Sequence, residues 1–155
     1  MIHSKRFLLC FLAVLMTTGI FATERKKYNF NSEWLLYVGD KQDAEKNDFN
    51  DKQWKQVTLP RAFNEDEAFR LSIEQLTDTV MWYRKHFRVK ELKDKKVFIE
   101  FEGIRMAGEF YINGHRLGLH ENGVMAVGFD LTPYMKKGDN VIAVRIDNDW
   151  RYREK

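Results

Sequence analysis

The feature that most limits what this chain can become is a two-residue alternation of apolar and polar side chains, in short runs separated by turn residues. From Val80 to Val89, Met81, Tyr83, Phe87 and Val89 fall on one face, with Lys85 the exception, while Arg84, His86 and Arg88 lie on the other beside Trp82. Val97, Ile99 and Phe101 alternate with Phe98, Glu100 and Glu102 before Gly103 ends the run, and Ile142, Val144 and Ile146 share one side of Val141 to Asp147. Successive side chains of a strand point to opposite faces, so the first face is read as core and the second as mostly solvated. Shorter strand candidates are Trp34 to Val38, Trp54 to Thr58, Phe110 to Ile112, His115 to Leu119 and Val127 to Leu131. Between the first two, Gly39 to Lys52 reads as a polar stretch too charged to be buried. Asn113-Gly114 suits a type I′ hairpin, because both residues enter positive φ readily. Thr132-Pro133 opens a turn or a single helical turn. Heptads, low-complexity tracts and internal repeats are absent. Seven or so short strands at this spacing predict an all-β fold, an antiparallel β-sandwich with the jelly roll (galactose-binding-like) as its topology.

The N-terminus follows a different rule. A basic start at Lys5-Arg6, the apolar run Phe7 to Met16 and the stretch Thr17 to Ala22 read as a secretory signal peptide over residues 1–22, cleaved after Ala22. The alternative, a membrane anchor, would need about 20 apolar residues, about twice what this run supplies. Cys10 would suit lipoprotein processing, but Leu9 is bulky where such sites want a small residue, which favours ordinary cleavage. The expected product is periplasmic or secreted, with no membrane span and one sandwich domain over 23–155. The length of 155 residues has no room for a barrel enzyme, which takes about 250. Removing Lys5 and Arg6 from the 26 basic residues leaves 24 against 23 acidic ones, a net charge of +1. With no dense basic block, nucleic acid is not an expected partner. The single cysteine leaves with the leader, so neither a disulfide nor a thiolate metal site is expected, and the fold must rest on its apolar core.

Chemistry is sparse. His86, His115 and His120 form no metal-ligand spacing, there is no Gly-x-Ser-x-Gly nucleophile turn, and Gly103 to Gly108 lacks the Lys-Ser/Thr of a phosphate loop. No catalytic residue, cofactor or metal is assigned from these patterns.

Five segments occur in an order that carries more information than any one of them: Trp82-Tyr83-Arg84-Lys85, Val97 to Ile104, Phe110 to Gly118, Phe129 to Tyr134, and Gly138 to Asn148. Asn50 to Trp54 followed by Val57-Thr58-Leu59-Pro60 joins them upstream. From Phe30 onward the chain resembles the N-terminal sugar-binding domain of glycoside hydrolase family 2, the family of β-galactosidases, β-glucuronidases and β-mannosidases. It departs from the family pattern at Arg61, where a histidine usually follows the proline. The resemblance implies a jelly roll that packs against a central sandwich and a barrel bearing two catalytic glutamates. It also implies a further closing strand beyond residue 155, so this chain is expected to be a fragment or truncated reading frame whose sandwich lacks its last strand. Its expected role is that of a non-catalytic carbohydrate-binding or accessory domain of a secreted glycosidase, with carbohydrate and downstream domains as partners. The alternative is a free-standing carbohydrate-binding or protein-interaction sandwich.

Two places are candidates for sugar contact. Asn64-Glu65 imitates the Asn-Glu pair of the family's acid/base residue, yet lies in the long loop Arg61 to Thr79 and not at the end of a barrel strand. The loop reads first as solvated and acidic, and second as a rim whose Asn64, Glu65, Asp66 and Glu67 hydrogen-bond sugar hydroxyls; Ser72 to Leu76 adds a helical turn. The second candidate, Asn148, Asp149 and Trp150, follows a strand, where Trp150 would stack on a pyranose face or pack against a neighbouring domain. Trp82, inside a strand, is read as packed.

Overall fold

Nearly every alternating run becomes a strand. In the computed structural model, which describes residues 25–62, 64–65 and 79–148, the strands are β1 (Trp34–Val38), β2 (Lys55–Val57), β3 (Val80–Val89), β4 (Phe98–Phe101), β5 (Ala107–Ile112), β6 (His115–His120), β7 (Val127–Asp130) and β8 (Gly138–Asp147). They form a six-stranded sheet in the order β2-β1-β3-β8-β5-β6 and a two-stranded sheet β4-β7, every pairing antiparallel. The β-sandwich anticipated from the period-two pattern is present, and the described residues contain no helix. The expected helical turn Ser72 to Leu76 lies outside the described residues.

Register explains the core. Leu36 pairs with Tyr83, Tyr83 with Val144 and Val144 with Phe110, so one row of inward side chains crosses four strands. A second row runs from Lys85 through Ile142 to Ile112. Trp34, Phe110, Ile112 and Ile142 are buried there, each such side chain contributing about 1.5–3 kcal/mol by leaving water. Ile99, Phe101, Val127 and Phe129 of the small sheet close over these rows from the other side. Lys85, the exception noted on this face, keeps its stem inside while its ammonium donates to the Ser32 carbonyl and lies 4.6 Å from the Phe30 ring centre.

The opposite face of β3 corrects the sequence reading. It is not mostly solvated: Arg84 is fully buried, and so is Trp82. The segment from Gly39 to Lys52, taken as too charged to bury, folds across this face and places Ala44 and Asp51 inside it, with Phe49 and Trp54 packed alongside. Most of its charges stay in solvent, as expected, and the one buried carboxylate, Asp51, is paired internally. Arg84 Nε donates to Asp51 Oδ2 at 2.7 Å, and Arg84 Nη1 donates to the carbonyls of Ala44 and Lys46. His86 Nε2 meets the same Asp51 oxygen at 2.7 Å. Burial pushes the Asp51 carboxyl up, but the hydrogen bonds from Arg84 and His86 outweigh it and hold it below the ordinary carboxylate value. Trp82 is packed as read: it stacks on Tyr111 and donates to Asp40 Oδ1 at 3.1 Å. Asp40 also takes a two-pronged contact from Arg145, Nε at 3.1 Å and Nη2 at 2.7 Å.

The hairpin turn is where the sequence placed it, with φ of 51° at Asn113 and 81° at Gly114. Asn113 does more than turn. Its Oδ1 accepts from Val141 N at 3.0 Å, and its Nδ2 donates to Asn140 Oδ1 at 2.8 Å and to the Tyr134 carbonyl at 2.9 Å. The β7–β8 connection opens with a turn at Thr132, as expected, closed by Tyr134 N and Met135 N donating to Leu131 O at 3.0 and 3.1 Å.

Candidate functional site

Two segments far apart in sequence meet at one end of the sandwich. Because β3 and β8 are antiparallel partners over ten residues, Val80 lies opposite Asp147, and Asn148 N donates to Thr79 O at 3.0 Å. The start of β3 and the end of β8 therefore share an edge. The chain after β2 returns to the same place, where Leu59 N donates to Asn31 O at 2.8 Å and the Tyr83 hydroxyl donates to the Arg61 carbonyl at 3.3 Å.

Between these segments and β4 lies a groove of about 930 Å³. Asn64 and Asn148 both line it, so the two sugar-contact candidates converge on one opening. The floor is apolar, formed by Trp34, Met81, Phe101, Val144 and Ile146, and β4 carries no strand on this edge among the described residues. The rim is polar: Arg61, Arg105 and Lys27 alternate with Glu100 and Glu102 around it, and Lys27 Nζ stands 3.8 Å from Glu102 Oε1. Arg61 Nη1 lies 3.0 Å from Glu65 Oε2. Burial of Tyr83 beneath this rim pushes its phenol up to about 12, so it stays a neutral hydrogen-bond donor at physiological pH.

The geometry divides the labour. Amides and guanidinium groups at the mouth can exchange hydrogen bonds with hydroxyls, and the exposed Tyr28 ring offers a flat apolar face beside them. The floor is suited to apolar side chains and not to a sugar. Glu65 is exposed and engaged by Arg61, unlike the apolar setting that equips a glycosidase carboxyl to act as an acid. Asn64 is half-buried and Asn148 buried. Asp66, Glu67, Asp149 and Trp150 lie outside the described residues. Among the described residues no group of three or more metal-ligating side chains comes together; His86 contacts Asp51, His115 stacks on Tyr134, and His120 contacts the Met125 carbonyl. Tyr28, Arg105, Glu100 and Glu102 join the rim without any signal in the sequence, since only strand pairing brings them there.

The sequence profile of the family described as "Glycosyl hydrolases family 2, sugar binding domain" matches residues 21–154. A β-glucuronidase of Formosa agariphila is 42% identical over 143 residues, which span 86% of this chain and 14% of that protein. A β-galactosidase of Thermoanaerobacter pseudethanolicus is 41% identical over 127 residues, 80% of this chain and 17% of that one. Among solved structures, a β-glucuronidase from glycoside hydrolase family 2 superposes with a TM-score of 0.76 at 38% identity, covering 84% of this chain and 15% of that one. The chain thus spans about a sixth or less of the length of these relatives. Motif order, sandwich topology and profile agree, and the chain belongs to the sugar-binding domains of glycosyl hydrolase family 2.

Proposed function

We propose that this chain is the non-catalytic accessory module of an exported family 2 glycoside hydrolase, contributing a polar rim to an active site whose two carboxylates lie on another domain. The observation that carries the reading is that Asn64 and Asn148 line one groove, where a sugar held by a neighbouring domain would meet the half-buried amide of Asn64. Asn64, Glu65 and Asn148, with Asp66, Glu67, Asp149 and Trp150 beside them in sequence, are the residues assigned to that contact. The length of the relatives, of which the matched region is 14% and 17% in the two described above, supports a longer parent with downstream domains.

The purified chain is assayed with chromogenic β-galactosides, β-glucuronides and β-mannosides beside a Glu65→Gln variant. No turnover is expected, since retaining hydrolysis needs two carboxyl groups about 5–5.5 Å apart across one anomeric carbon. Turnover that vanishes in Glu65→Gln would overturn the accessory reading. Export is tested separately: intact mass of the secreted product should lack residues 1–22, and a product retaining Met1 to Ala22 would refute the leader.

A further inference from the structure

The fold gathers at its other end cations that the sequence disperses. β3 finishes at Val89 opposite Gly138, where β8 begins. Beside it Leu131 N donates to Val97 O and Val97 N to Thr132 Oγ1, both at 2.9 Å. The β3–β4 and β7–β8 connections therefore lie side by side. They and the adjoining strand ends carry seven exposed cations, Arg88, Lys90, Lys93, Lys95, Lys96, Lys136 and Lys137, against four carboxylates, Glu91, Asp94, Asp130 and Asp139. Arg88, Lys95 and Lys96 stand 3.7, 4.0 and 3.7 Å from Asp139, Glu91 and Asp130. Lys90, Lys93, Lys136 and Lys137 make no ion pair among the described residues. Lys90 and Lys137 line one crevice with Arg88, and the backbone of Lys136 is held on both sides by Asn140.

Two exposed aromatic rings stand on the same end. Tyr134, stacked on His115 at 5.1 Å between ring centres, precedes Lys136 in the β7–β8 turn, and Phe98 opens β4 just after Lys96 with 64% of its surface exposed. Cations without partners beside open ring faces suit a polymer that presents both anionic groups and flat apolar faces.

We propose that this end of the sandwich binds an acidic polysaccharide, with Lys90, Lys93, Lys136 and Lys137 pairing with its carboxylate or sulfate groups and Tyr134 stacking on a sugar ring. Duplex DNA fits less well. It carries a charge about every 1.7 Å, and the four interspersed carboxylates would repel so dense a row, whereas a chain with its charges a sugar apart can pass between them. Lys90 and Lys137 stand at the opposite ends of β3 and β8 from Asn148, about 30 Å for a ten-residue strand, and the proposal holds whether or not Asn64 and Asn148 touch sugar.

The test is affinity electrophoresis of the full chain through gels containing polygalacturonate, neutral galactan or duplex DNA. Polygalacturonate should retard the protein, added salt should suppress the effect, and galactan should leave mobility unchanged. Lys90→Gln combined with Lys137→Gln should weaken retention about thirtyfold, judged from the usual contribution of each lysine facing an anionic surface. Tyr134→Ala should weaken it several-fold more than salt screening explains, and circular dichroism melts confirm that both variants fold. Absence of retardation by polygalacturonate, retention unchanged in the lysine variant, equal retardation by galactan, or stronger retardation by DNA would each overturn the proposal.

Discussion

Replacing Asn140 by leucine should cost this domain about 2–3 kcal/mol, far more than its place next to an exposed turn would suggest. Asn140 is 1% exposed and its amide is saturated. Oδ1 accepts from Lys136 N at 3.0 Å and from Asn113 Nδ2 at 2.8 Å, while Nδ2 donates to the carbonyls of Lys136 at 2.8 Å and Gly138 at 2.9 Å. Four hydrogen bonds at a net value of about 1 kcal/mol each would give roughly 4 kcal/mol. The Lys136 and Gly138 backbones border solvent and can recover water, which brings the figure down to about 2–3 kcal/mol. For a domain of this size that is a fall of roughly 6–12 °C in Tm, read by thermal melts followed through tryptophan fluorescence.

An aspartate at the same position separates hydrogen bonding from packing. Asn140→Asp keeps the two accepting contacts but turns an anionic oxygen towards the Lys136 and Gly138 carbonyls. Its folded pKa would be raised, so the neutral acid is the form the fold prefers, and stability is lost as pH rises through that value. The Tm gap to the natural chain should therefore be wide at pH 7 and narrow towards pH 4. A leucine variant losing less than about 0.5 kcal/mol, the range of ordinary surface changes, or an aspartate gap independent of pH, would refute the reasoning.

Arg84→Met strips the buried Asp51 of its principal partner and should cost about 3 kcal/mol, the low end for breaking a buried pair because His86 remains; urea melts check this, and adding Asp51→Leu should restore part of the loss. The hydrogen bonds from Arg145, then that from Trp82, hold the Asp40 carboxyl at about 2 against burial, so its stabilising contribution is complete above pH 4 and fades as pH falls towards 2. Tm measured across that window should drop less steeply in Asp40→Asn than in the natural chain. Val144→Asp places an unpaired charge between Tyr83 and Phe110 in the core row and should abolish cooperative melting.

What the sequence made legible follows from which forces act locally. Alternation is a local signal, since each strand must turn one face towards the core, and it located β3, β4 and β8 to within a few residues. The same rule failed on the second face of β3 because it treats a polar side chain as a solvated one. Arg84 is buried by a partner 33 positions away in sequence, in a segment whose own composition argued against burial. No periodicity within either segment reports that Asp51 accepts from Arg84 Nε while the carbonyls of Ala44 and Lys46 accept from Nη1. The Asn113-Gly114 turn was legible from its dipeptide. That Asn113 also holds Asn140, joining two of the ordered motifs into one network, depends on contacts the dipeptide does not encode.

The groove mouth and the lysine-rich end come from one structural fact seen from its two ends. Ten consecutive antiparallel pairs between β3 and β8, from Val80 with Asp147 to Val89 with Gly138, fix both termini of both strands. A polar residue just past β8 is thereby forced beside the residue just before β3, which is how Asn148 and the loop carrying Asn64 reach the same opening. The connections leaving β3 and entering β8 are forced together equally firmly, which is how Lys90 meets Lys137. Sequence can nominate each of these residues, but it cannot say which nominees share an end, because that depends on the pairing partner of a strand and not on the strand itself.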